Sequence, residues 1–135
     1  MTVSVKVKVK ICGLRSLQDV EACRGADALG FIVATPRSRR NVGLKMARRL
    51  MAAANPGQLM VTVTTVTDPK KLVQIAAELR PDALQVHVEL AAGAWAEVRQ
   101  AIPATVKLYG LLGISDSLDE QILIERAREL VAAPL

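Results

Sequence analysis

Aromatic side chains are almost missing from this 135-residue chain: Phe31, Trp95 and Tyr109 are the only three. A core must therefore come from Val, Leu, Ile and Ala, a composition that suits parallel strands covered by helices on both faces. So few aromatics also count against nucleic acid, which needs rings on which bases stack. The net charge of +5, from 18 Lys and Arg against 13 Asp and Glu, is spread along the chain and fits an anionic small molecule equally well. Only two cysteines occur, Cys12 and Cys23, with neither a disulfide-framework count nor metal spacing, so both are expected as free thiols of a cytoplasmic protein. No apolar run approaches the roughly 18 residues of a membrane span, and no membrane association is expected. Lysines at alternate positions of the N-terminus break any signal-peptide pattern. No glycine-rich phosphate loop follows a strand-like run, and no His/Cys/carboxylate cluster points to a metal, so no cofactor is implied.

What remains is a regular alternation of short β-type runs and longer helical ones. Residues 3–11, VSVKVKVKI, alternate strictly and predict a strand whose Val5, Val7, Val9 and Ile11 pack under helices while Lys6, Lys8, Lys10 and Cys12 share the other face. Further strands are predicted at 28–33, 59–66, 82–88 and 105–112. Between them lie helices near 16–25, 43–54, 69–79 and 92–102, with a last one over 117–132. Ser16 and Asp19 are spaced as a capping box, and Asp68-Pro69 reads as an N-cap and first-turn pair. Leu118, Ile122, Leu123, Ala127, Leu130 and Val131 line one side of the last helix. Five β-α units in one domain, 1–135, predict a parallel sheet with right-handed crossovers. Either an open doubly wound sheet or part of a (β/α)8 barrel fits.

Polar residues at strand ends are the candidates for chemistry, because parallel α/β folds place their sites there. Cys12 ends the first strand with Lys10 in phase, and a nearby ammonium favours the thiolate that a base or nucleophile needs. A lone cysteine is also a common small apolar filler, the reading given to Cys23. Gln85 and His87 share a face of the fourth predicted strand, and His87 is the only histidine. TPRSRRN (35–41) puts three arginines and a serine on one loop, an anion receptor if it is more than a solvated basic segment. Lys107 is in phase with Tyr109 and is expected on the interior face.

Taken together, KICGL (10–14), GADALGFIV (25–33), PRSRR (36–40) with Asn41 and Val42, and DALQVH (82–87) resemble the phosphoribosylanthranilate isomerase family in order and spacing. The resemblance runs along essentially the whole chain and implies an incomplete (β/α)8 barrel of about five β-α units. It implies a cofactor-free Amadori rearrangement of a phosphorylated small molecule, N-(5-phosphoribosyl)anthranilate, to 1-(2-carboxyphenylamino)-1-deoxyribulose 5-phosphate in tryptophan biosynthesis. It assigns the general base to Cys12 and the anthranilate carboxylate to Arg40, with Lys10, Gln85 and His87 as substrate-binding positions. Two departures stand out: VTVTTVT replaces the family's VGVFVN on the third predicted strand, and Val88 replaces the glycine after QLH.

The resemblance also places the aspartate general acid on a sixth strand, and the phosphate loops later still. Neither Asp116 nor Asp119 matches that acid, so the chain is expected to turn over little or no substrate by itself. A non-catalytic shortened barrel that associates through open sheet edges, or that binds an anion at the Arg40 loop, is the alternative. An unrelated doubly wound domain is the third reading, and strands each paired with a sequence neighbour would exclude it.

Overall fold

The structure, a computed structural model, describes residues 2–115 and 119–132. The elements run β1 (Lys10–Cys12), α1 (Leu17–Ala22), β2 (Ala28–Val33), β3 (Asn41–Val42), α2 (Leu44–Ala52) and β4 (Leu59–Thr64). They continue with α3 (Pro69–Leu79), β5 (Ala83–Val86), α4 (Ala92–Ala101), β6 (Lys107–Tyr109) and α5 (Glu120–Ala132). All strand pairs are parallel, in the order β1-β2-β4-β5-β6, with the two-residue β3 attached to β2. The order never reverses, which excludes the doubly wound alternative, whose sheet turns back at a switch point. The fold is an arc of a (β/α)8 barrel.

The sheet is strongly concave. Lys10 Nζ on β1 donates to Gln85 Oε1 on β5 at 2.5 Å, although β2 and β4 lie between them. A flat sheet would hold strands three spacings apart at about 14 Å. The bond therefore crosses the inside of a curl.

Local signals set the helix ends. Ser16 and Asp19 form the capping box on α1, each accepting a backbone N–H of the other. Asp68 accepts from Lys70 N at 3.0 Å, and Pro69 opens α3 at a position where no amide donor is needed. Asp119 accepts from Gln121 N at 2.7 Å and so caps α5. Asp116 and Leu118 lie outside the described residues.

The helix-facing side of the sheet holds the main core. Leu29, Phe31 and Val33 of β2 pack with Ala47 and Leu50 of α2, and Leu84 and Val86 of β5 pack with Trp95 and Val98 of α4. The inner face carries only a small apolar cluster, Val61, Val63 and Ala83, flanked by Ala28 and Ile32.

The predicted first strand is corrected. Only Lys10–Cys12 pairs, and the apolar row does not lie under helices: Val3, Val5 and Val7 are 76–84% exposed, Val9 48% and Ile11 39%. Alternation fixes which side chains share a face but supplies no partner. β2 begins opposite Lys10, and before it the chain turns away, so only Val9 finds bonds there.

Asp27 provides those bonds, and Asp82 repeats them. Asp27 accepts Val9 N at 2.7 Å through its carboxylate, donates its own N–H to Val9 O, and accepts Leu59 N at its carbonyl. Asp82 accepts Met60 N at 2.7 Å, donates to Met60 O, and accepts Lys107 N. The same triplet, Asp-Ala-Leu, opens β2 and β5, so one short sequence ties three neighbouring strands together twice.

Candidate active site

The site grows from the ends of β1, β4 and β5. Lys10 and Cys12 alternate onto the inner face of β1, and Gln85 does so on β5. His87 lies just past β5, held where its N–H donates to Thr64 O at 2.8 Å. These four line one open cavity of about 350 Å³, together with Ile32, Thr35, Ser38, Val63, Thr64 and Thr65. Cys12 and His87 are exposed and Gln85 is half-buried. Lys10 is bonded to the Gln85 carbonyl oxygen, which turns the Gln85 carboxamide nitrogen toward other partners.

Gly13 explains why a glycine follows the thiol. Its φ of +87° is the left-handed conformation that side chains resist. Arg40 also packs on it: a Cβ at Gly13 would sit 2.6 Å from Arg40 Cδ. Gly13 N donates to Gly30 O at 2.9 Å, so β1 ends in a tight bend over which Arg40 lies. Arg40 is thus not on the cavity that holds Gln85 and His87. It lines a neighbouring cavity of about 460 Å³ with Arg15, Asp19, Cys23 and Arg39, and Cys12 borders both.

The arginine loop is built rather than loose. Asn41 Oδ1 accepts Thr35 N at 2.8 Å, closing residues 35–41 into a turn. The Thr35 hydroxyl donates to Val33 O at 2.8 Å and accepts Thr65 N at 3.2 Å, which ties the loop to the end of β4. Arg15 Nη1 donates to Arg39 O at 3.1 Å and joins the loop to the start of α1. Asp19 anchors that same start, and its carboxyl is held below the usual aspartate range, first by the Arg15 backbone N–H and then by Ser16.

Lys107 and Tyr109 do face the interior, at its other end, in a cavity of about 360 Å³ with Lys8, Lys10, Asp27 and Asp82. Sequence reasoning missed Thr65 and Gly30. Thr65 is in phase with Val61 and Val63, and Gly30 with Ala28 and Ile32, so strand alternation held the signal for both. Among the described residues no group of three or more His, Cys, Asp or Glu could hold a metal ion, and no helix is long and apolar enough to cross a membrane.

Comparison with known proteins gives this geometry a family. Residues 9–135 match the family described as N-(5'phosphoribosyl)anthranilate (PRA) isomerase. N-(5'-phosphoribosyl)anthranilate isomerase of Methanothrix thermoacetophila is 31% identical over 126 residues, covering 92% of this chain and 59% of that protein. The isomerase of Rhodopseudomonas palustris is 37% identical over 113 residues, 82% of this chain and 50% of its own. The chain thus spans about half the length of the curated relatives it matches. A crystal structure of phosphoribosyl anthranilate isomerase in complex with reduced 1-(o-carboxyphenylamino)-1-deoxyribulose 5-phosphate superposes with a TM-score of 0.73 at 30% identity, covering 90% of this chain and 59% of that one. The chain belongs to the N-(5'-phosphoribosyl)anthranilate isomerase family.

Proposed function

We propose that this chain supplies the base and the carboxylate grip of the isomerase reaction, the Amadori rearrangement of N-(5'-phosphoribosyl)anthranilate. The supporting observation is the place of Cys12: at the end of β1, between the cavity of Gln85 and His87 and the cavity of Arg40. A substrate that meets both cavities spans the end of β1 and puts its ribose over the thiol. In this reading Cys12 removes the C2′ proton of the ring-opened Schiff base, and the enolamine tautomerises to the ketose. Arg40 binds the anthranilate carboxylate through two N–H groups. Gln85, its carbonyl oxygen taken by Lys10, donates from its nitrogen to a sugar hydroxyl, and His87 lies on the same rim. Among the described residues no Asp or Glu lines the cavity of Cys12 and His87. We place the protein in the cytoplasm, where Cys12 and Cys23 stay reduced.

Calorimetry with the reduced deoxyribulose phosphate compound tests the reading. Binding is expected, weakened about tenfold or more in Arg40→Ala by loss of a charged hydrogen bond. Any turnover of substrate disappears in Cys12→Ser. Absence of binding, or turnover that survives Cys12→Ser, refutes it.

The sheet edges favour a second reading, self-association. Among the described residues β1 and β6 each pair on one side only, which leaves rows of free backbone groups. Sedimentation showing dimers would support it, and monomers across the whole concentration range would remove it.

A further inference from the structure

We infer that Gly30 is a positioning residue for Cys12: the lack of a side chain at Gly30 holds the thiol against the barrel interior beside Lys10. The inference rests on Cys12 being the base of the reading above. Gly30 is buried in β2 and is the direct register partner of Cys12 on β1. Backbone conformation does not demand glycine there, since the positive-φ glycines are Gly13 and Gly57. Space does. A Cβ at Gly30 would lie 2.8 Å from Cys12 Sγ, 3.1 Å from Lys10 Cε and 3.2 Å from Cys12 Cα. The Lys10 stem is flexible and can give. Cys12 Cα belongs to a paired strand and gives little. The thiol has one torsion, so a Cβ at Gly30 forces it into another staggered position. Sγ and Lys10 Cε both lie within about 3 Å of the same point, so they share one small volume. Turning the thiol out of that volume separates it from the ammonium that bonds Gln85 and from the cavity the substrate enters.

Selective alkylation tests this on the 135-residue chain without requiring turnover. The rate at Cys12 is followed by peptide mass spectrometry with iodoacetate and with iodoacetamide, and their ratio is normalised to a free thiol. A unit positive charge at about 4 Å in water would favour an anionic reagent about fivefold, which sets the scale of the effect to look for. The part of that preference lost in Lys10→Met is expected in the chain as it stands and absent in Gly30→Ala, while the arginines of the neighbouring cavity contribute the rest in both. A merely structural glycine would lower stability and leave the ratio of the folded protein unchanged. An unchanged ratio in folded Gly30→Ala, or no preference in the chain itself, overturns the inference. If Gly30→Ala does not fold, Cys12→Ala is added: recovered folding shows that the thiol was the obstacle, and no recovery overturns the inference. A lost preference with no binding of the reduced deoxyribulose phosphate compound upholds the thiol's placement and refutes the isomerase reading instead.

Discussion

The two Asp-Ala-Leu clamps make the same three backbone contacts in different surroundings, and that difference predicts unequal costs. Asp82 accepts the N–H of Met60, a residue 9% exposed in the middle of the sheet. Asp82→Ala leaves that donor where water reaches it poorly, so the variant loses a charged hydrogen bond and strands a polar group. A cost of about 2 kcal/mol is expected. Asp27 accepts the N–H of Val9, which is 48% exposed just before the edge strand. Water replaces the carboxylate in Asp27→Ala, and the cost is about 0.5 to 1 kcal/mol. Asp82→Asn keeps an acceptor oxygen and should recover part of the loss. Urea unfolding of the parent chain and the three variants measures this, with the slope checked for constancy so that midpoints can be compared. Equal losses at both aspartates, or a larger loss at Asp27, would refute the argument that burial of the donor sets the cost.

Two further outcomes follow from single groups. The Thr62 hydroxyl is fully buried with no hydrogen-bond partner among the described residues, so Thr62→Val should raise stability by about 1 kcal/mol, read from the same urea curves. Asp19 has a lowered pKa, so its contribution is complete above the ordinary aspartate range near about 3.9. That contribution is lost as pH falls through the lower native value, because the unfolded chain binds the proton first. Unfolding curves of the chain and of Asp19→Asn should therefore differ at pH 6 and draw together as pH falls below the ordinary aspartate range; a gap that widens on acidification would contradict the assignment.

The parts of the fold legible in the sequence are those set by neighbours along the chain. β2 spans 28–33 and α3 spans 69–79 as the pattern predicts, because an alternating or 3.6-residue rhythm and an Asp-Pro start are local facts. The N-terminal strand was not legible, because a strand exists only where another lies beside it, and β2 offers nothing before Ala28. The same division runs through the site. Lys10 with Cys12, and Gln85 with His87, were legible as sharing faces, and those faces do meet on one cavity. Arg40 was legible as a charge but not as a position. Its place depends on a left-handed glycine at 13 and on the Thr35–Asn41 turn, two features that only the folded chain brings together. The opening motif then makes physical sense as one device. Lys10 holds Gln85, Cys12 stands between two cavities, and Gly13 bends away beneath Arg40. A larger residue at 13 would displace Arg40. The KICG run therefore joins the place of Arg40 to that of Cys12 through one backbone bend.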